Sequence, residues 1–266
     1  MNRKLRILRI TVAVIVTAAV TTFLATSSVA VAQTLGWSMK LQIVPLMLAG
    51  ATIQVLLLLG LTIIFGRIYC SALCPLGVMQ DIFFRARRLP PLKKKLSALR
   101  FAPAQNTLRL GILAAFIILI LTGANAIALI IEPTAIYTHI VRMFTQTETL
   151  TIPAAAITST VIIFFAMISV RRGRIWCNTI CPVGTALGLI AARSHLRISI
   201  NPDLCTACGK CQDVCKAQCI DLTQLTVDNS RCVCCFDCLA VCPGGAVRYT
   251  DRPATPASPL MQRVPE

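Results

Sequence analysis

Apolar positions in this chain run together in long blocks instead of alternating with polar ones. Residues 10–39, 41–66, 110–131 and 149–170 contain no Asp, Glu, Lys or Arg. An uncharged apolar run of about 18 residues or more lets a helix cross roughly 30 Å of hydrocarbon. The pattern predicts four transmembrane helices, over residues 10–31, 43–66, 110–131 and 151–170. The first run can also be read as a secretory signal, with Arg3, Lys4, Arg6 and Arg9 before it and Ala30-Val31-Ala32 as a cleavage site. It is long for a signal core, and its loss would leave an odd number of spans, so the helix reading is preferred.

Basic residues between the runs set the expected orientation. Arg3, Lys4, Arg6 and Arg9 precede the first run. Arg67, Arg85, Arg87, Arg88, Lys93, Lys94, Lys95 and Arg100 follow the second, and Arg171, Arg172, Arg174, Arg193 and Arg197 follow the fourth. The two opposite loops hold only Lys40 and Arg142. By the positive-inside rule both termini are cytoplasmic, and the chain is a multi-pass protein of the cytoplasmic (inner) membrane. Composition agrees: 56% of residues are hydrophobic and 14% charged, against about 45–50% and 25% in soluble domains. The net charge of +16 brings nucleic acid to mind, but residues 1–200 carry a balance of +17 and residues 201–266 a balance of −1. The positive charge flanks the bilayer, where it meets anionic lipid head groups. Lipid is the expected partner, and nucleic acid is not.

Fourteen cysteines all fall on the expected cytoplasmic side or its membrane edge. Thiols stay reduced there, so their density points to metal binding. No Cys-x-x-Cys-His occurs, and the two histidines, His139 and His195, lie outside the spans, so no haem is expected.

The membrane half repeats. Gly66-Arg67-Ile68-Tyr69-Cys70-Ser71-Ala72-Leu73-Cys74-Pro75-Leu76-Gly77 matches Gly173-Arg174-Ile175-Trp176-Cys177-Asn178-Thr179-Ile180-Cys181-Pro182-Val183-Gly184 at a constant offset of 107 residues. Each copy follows a pair of spans, which predicts two parallel repeats about an axis along the membrane normal. If helical, Cys-x-x-x-Cys places both thiols on one face. Cys70, Cys74, Cys177 and Cys181 are then a candidate redox or metal site at the membrane edge, with a shared iron–sulfur centre as one form of it. The plainer alternative is four small buried residues at helix ends. Tyr69 and Trp176 are expected at head-group level. Residues 76–88 read as a short interfacial amphipathic helix ended by Pro90-Pro91.

The tail carries the most specific pattern. Cys205, Cys208, Cys211 and Cys215, then Cys232, Cys235, Cys238 and Cys242, both show the C-x2-C-x2-C-x3-C spacing of two-cluster bacterial ferredoxins, whose fourth cysteine ligates the other cluster. This assigns Cys205, Cys208, Cys211 and Cys242 to one [4Fe–4S] cluster, and Cys232, Cys235, Cys238 and Cys215 to a second. Two zinc sites are the alternative. Cys219 either replaces Cys215 or packs beside a cluster, and Cys234 is a neighbour without a ligand role. Lys216 stands where this motif often has proline. Residues 219–222 and 246–249 are expected as short strands closing a two-fold βαβ unit.

The expected fold is an α-helical membrane domain over residues 1–198, with Cys-x-x-x-Cys-Pro motifs at 70–75 and 177–182. A small α+β ferredoxin-like domain over 199–250 and a flexible tail over 251–266 follow it. With these parts in place, the chain resembles the membrane polyferredoxins of the NapH and NosR type. The resemblance covers residues 1–250. It implies redox or metal roles for Cys70, Cys74, Cys177 and Cys181, and electron flow between quinone and cytoplasmic clusters to partner proteins. NosR-type proteins add a large flavin domain; here the longest loop on that side is residues 132–148, so no covalent flavin is expected. Glu132, Tyr137 and His139 in that loop are the clustered candidates for a quinol site. An electron conduit is the leading function, more an electron-transfer subunit than a stand-alone enzyme. A copper reductase using the Cys-x-x-x-Cys-Pro thiols and an assembly factor with structural clusters are the alternatives.

Overall fold

A computed structural model describes residues 2–26, 28–48, 50–87, 89, 99–145 and 152–251. The expected tail over 252–266, the Pro90-Pro91 stop and Arg88, Lys93, Lys94 and Lys95 lie outside the described residues.

Helix α1 (Asn2–Ala25) is followed by α2 (Val29–Leu35), a 3-10 turn (Gly36–Leu41), α3 (Ile43–Leu48) and α4 (Thr52–Phe65). The second half runs through α7 (Asn106–Leu121), α8 (Asn125–Ala128), a 3-10 turn (Leu129–Ile131), α9 (Pro133–Thr145) and α10 (Ile152–Arg172). Each half then delivers two short helices, α5 (Ile68–Ala72) with α6 (Pro75–Ala86), and α11 (Ile175–Thr179) with α12 (Pro182–Ala191).

Two of the expected spans are broken. The 43–66 segment is interrupted around Gly50 and the 110–131 segment around Gly123, where φ of +70° and +78° ends the helix. Only glycine takes that conformation without strain. Among the described residues one helix, Arg3–Ala25, has both the length and the apolarity to cross a membrane, while Thr52–Phe65 and Asn106–Leu121 are shorter apolar helices.

The interruptions let each half fold back on itself. The backbone N–H of Ile43 donates to the Tyr69 hydroxyl at 3.3 Å, although α3 and α4 separate them. Helix α3 must therefore run against α4. In the other half the Thr134 hydroxyl donates to Gln42 Oε1 at 3.4 Å, bringing the two hairpin tips together. The tips are built alike. In each a 3-10 turn ends at an extended, buried polar residue, Gln42 or Glu132, whose carbonyl starts the next helix. Tyr69 is 2% exposed and donates to Gln42 Oε1 at 3.2 Å, so it is a core residue and not a head-group anchor.

The tail contains two antiparallel strand pairs. β1 (Arg197–Ile200) pairs with β4 (Val247–Thr250), and β2 (Ile220–Asp221) with β3 (Thr226–Val227). The expected strands near 220 and 247 are present, but pairing is antiparallel, not the parallel crossover of a βαβ unit. Helices α13 (Lys210–Asp213) and α14 (Asp237–Val241) complete a two-fold arrangement. Its internal symmetry is visible in the backbone. Ala207, Gly209 and Gln218 have positive φ, and so do Cys234, Phe236 and Gly245, each 27 residues later.

The tail is bolted to the helices. His195 and Leu196 N–H donate to the carbonyls of Ile63 and Ile64 at 2.9 and 2.8 Å. The Tyr249 hydroxyl donates to the Phe65 carbonyl at 2.8 Å.

Candidate metal centre

The two Cys-x-x-x-Cys-Pro motifs do not form single helices. α5 and α11 each last five residues, and the second cysteine, Cys74 or Cys181, is the extended N-cap of the next helix. Pro75 and Pro182 explain this, since proline disfavours a helical residue before it and suits the first helical position. All four thiol residues are buried, Cys70 and Cys74 at 5% and Cys177 and Cys181 at 4% exposure. They lie near enough to one another for their charges to interact. Burial pushes the Cys177 thiol up to about 11, against the pull of Arg174.

The repeats interlock through the matched arginines. Arg67 donates from Nη2 to the Cys177 carbonyl at 3.1 Å and from Nη1 to Asn178 Oδ1 at 2.9 Å. Arg174 donates to the Cys70 carbonyl, and to the Gly77 carbonyl at 2.8 Å. Each arginine is fully buried and braces the cysteine helix of the other repeat. Space for this exists because residues 77 and 184 are glycines. A Cβ on Gly184 would collide with the Cys177 carbonyl oxygen and stand 2.9 Å from Arg67 Nη2. Gly184→Ala is expected to destabilise by about 3 kcal/mol, at the upper end of overpacking costs. Gly111→Ala, in α7 with nothing within 4 Å, should be neutral or stabilise by up to about 1 kcal/mol. Thermal unfolding of both variants checks the contrast.

Beside the four thiols two buried donors, Arg67 Nε and Gln80 Nε2, have no hydrogen-bond partner. Gln80 is in place there, its Oε1 accepting from Cys177 Sγ at 3.3 Å.

In the tail, the structure gathers the eight motif cysteines around two hollows. Cys205, Cys208, Cys211 and Cys242 line one, and Cys215, Cys232, Cys235 and Cys238 line the other. The left-handed residues at 207, 209, 234 and 236 curl each three-cysteine loop. The donor sets fit iron–sulfur clusters: thiolates from a tight loop, a fourth from across the fold, and an apolar wall that includes Ile198, Ile220 and Phe236. Cys219 also lines the second hollow, its Sγ 3.6 Å from Cys215 Sγ. Cys234 lines neither; it is buried, with Ser71 Oγ donating to its carbonyl at 3.5 Å.

One model described as a 4Fe-4S binding domain matches residues 46–97 and 152–201, and a second with that description matches residues 198–221. Among relatives, the ferredoxin-type protein NapH of Haemophilus influenzae is 28% identical over 78% of this chain and 69% of its own length. The chain is a NapH-type 4Fe–4S ferredoxin-like protein. Other ferredoxin-like relatives of this type include the methylamine utilization ferredoxin-type protein MauN of Paracoccus denitrificans, 26% identical over 68% of this chain and 60% of its own. An uncharacterized protein of Methanocaldococcus jannaschii is 24% identical over 74% of this chain and 77% of its own. No solved structure matches the chain. The matched 4Fe-4S binding models and the ferredoxin-type relatives support iron–sulfur electron transfer as the chemistry of this chain.

Sequence reasoning missed one element. Asp81 of α6 is 5% exposed and meets three cations: Arg174 Nε at 2.7 Å, Lys216 Nζ at 2.9 Å and Arg9 Nη2 at 3.1 Å. Burial raises its carboxyl, but Arg174 and Lys216 outweigh that and hold it well below the usual carboxylate range. Lys216 also reaches Asp237 at 3.0 Å, and Arg6 reaches Asp237 at 2.8 Å. Arg6 and Arg9, read from sequence as topology charges, are partners in this network. The signal was available, because Asp81 is one of three acidic residues before position 201.

Proposed function

We propose that the protein is a multi-pass membrane electron carrier with two [4Fe–4S] clusters in its tail. One is held by Cys205, Cys208, Cys211 and Cys242, the other by Cys232, Cys235, Cys238 and Cys215, and together they link the quinone pool to soluble redox partners. The observation that carries this reading is the graded burial of three cysteine sets. Cys70, Cys74, Cys177 and Cys181 lie deep among the helices; Cys215, Cys232 and Cys238 are buried where the tail meets them; and Cys208 is exposed. Clusters bound in the tail supply one-electron chemistry at potentials tuned by burial, charge and hydrogen bonds.

The chain's own residues hold this order. Val233 and Cys235 pack into the helical core, and Ser71 fixes the Cys234 carbonyl, so the buried hollow is pinned against α5. The first hollow faces outward through Cys208, where a soluble partner gains access. Arg67 and Arg174 supply positive charge beside the four buried thiols, and the unpaired Arg67 Nε and Gln80 Nε2 favour a further iron–sulfur centre there, since its sulfides would accept from them.

The membrane reading draws support from apolar side chains left exposed on several helices, Ile15 on α1, Ile53 and Leu57 on α4, Ile118 on α7 and Ile163 on α10. The folded-back hairpins are then re-entrant, with tip polar groups satisfied inside the protein as lipid requires. On this reading Asn2 and Asp251, the first and last described residues, lie on the tail's side, the cytoplasm. A cavity of about 320 Å³ opens between α9 and α10, walled by Leu129, Ile136, Ile157 and Val161 with His139 and Thr158 as its polar groups. Size and lining suit a quinone ring. Of the three candidate quinol groups only His139 lines this cavity; Glu132 caps α9 and the Tyr137 hydroxyl pairs with Thr21 at 2.7 Å.

In vesicles, a short-chain quinol should bleach the iron–sulfur absorbance and a soluble acceptor restore it. His139→Ala should slow the bleaching about tenfold, the loss of roughly 1.4 kcal/mol of interaction. No bleaching with quinol, together with Cu(II) consumption by the purified protein, would replace this reading by the copper reductase.

A further inference from the structure

We infer that Lys216 is a positioning residue that clamps the buried cysteine set to the helices, and that its ammonium charge raises the redox potential of that site relative to its symmetric twin. The inference rests on the reading of Cys215, Cys232, Cys235 and Cys238 as ligands.

The tail's two halves are related by 27 residues, and that relation pairs Cys215 with Cys242 and Lys216 with Pro243. Among the differences between the two sites, the residue after the crossing cysteine is a long cation in one and an uncharged ring in the other. Lys216 is not a solvated surface lysine. Its side chain is 3% exposed, with Nζ 2.9 Å from Asp81 Oδ2 and 3.0 Å from Asp237 Oδ2. Asp237 directly precedes Cys238, so the ammonium stands between the Cys215 turn and the Cys235–Cys238 loop. Its carbonyl accepts from the Arg174 N–H at 2.8 Å, and a Cβ on Gly173 would collide with that carbonyl. The backbone thus ties the site to the start of the second repeat, and the side chain ties it to α6 of the first.

The surrounding charge is unbalanced. Arg6, Arg9, Arg174 and Lys216 face two carboxylates, Asp81 and Asp237. A site that gains negative charge on reduction is reduced more readily beside buried excess positive charge, because weak screening preserves the interaction.

Lys216→Met leaves both carboxylates paired, Asp81 with Arg9 and Arg174 and Asp237 with Arg6, so the variant keeps its fold. Potentiometric titration followed by electron paramagnetic resonance on the full-length protein is the test. In Lys216→Met one of the two tail signals should move to lower potential while the other stays. Lys216→Arg should restore it, and Asp237→Asn should move the same signal upward. A purely structural lysine would change stability and leave the potential alone. Full iron loading with both potentials unmoved, or with the shift in the exposed site, overturns the inference alone. A wild-type tail holding fewer than about eight iron atoms overturns the ligand reading and the inference with it.

Discussion

Asp81→Asn is expected to destabilise the protein by about 3–5 kcal/mol, the cost of leaving buried charges without their counter-ion. Three cations lose their common partner at once: Arg9, Arg174 and Lys216. They come from α1, the start of the second repeat and the tail, so the loss loosens the join between the halves as well as the core. Denaturant unfolding in detergent, followed by helical circular dichroism and by iron–sulfur absorbance, reads both effects. The pH dependence has a definite sign. The folded carboxyl is held well below its ordinary value, with burial opposing and Arg174 and Lys216 prevailing. Its contribution is therefore fully present above the unfolded value, near pH 3.9, and is lost as pH falls through the depressed folded value. In Asp81→Asn that acid-side slope should flatten. An unchanged slope would show that other carboxylates dominate acid unfolding.

Cys235→Ser and Cys208→Ser should differ, although both remove one proposed ligand. Cys235 packs against the helical core, whereas Cys208 is exposed. Loss of Cys235 should take tail-bound iron from about eight atoms to about four, abolish quinol-driven reduction of the soluble acceptor, and destabilise the join. Cys208→Ser should also block delivery to the acceptor, yet leave the buried site reducible by quinol. Rapid-mixing absorbance with and without acceptor separates the two patterns. Equal behaviour of the variants would remove the proposed order of the sites.

The chemistry was far more legible in the sequence than the path of the chain. Thiolate spacing is a local property, and the fold brings the eight motif cysteines around two hollows. The 107-residue repeat likewise reappears as reciprocal bracing by Arg67 and Arg174. Hydropathy failed where polarity is hidden inside apolar runs. Gln42 and Gly50 sit within or beside uncharged blocks, so continuous helices were expected where the chain turns back. Glu132 looked like a residue of a wet loop and is 1% exposed, capping α9. Of the buried network around Asp81 the sequence offers one signal, a carboxylate that is one of three before position 201; its partners are scattered from Arg6 to Asp237 and only the fold brings them together. Lys216 departs from the motif, and its partners Asp81 and Asp237 give the departure a physical meaning.

The account depends most on the tail's cysteines holding iron and sulfide. Anaerobically purified protein should be brown and contain about eight iron and eight sulfide atoms per chain, or about twelve of each if the four buried membrane-half thiols also hold a cluster. After reduction its electron paramagnetic resonance spectrum should show two interacting [4Fe–4S] signals. Colourless protein with zinc at the same cysteines would contradict it.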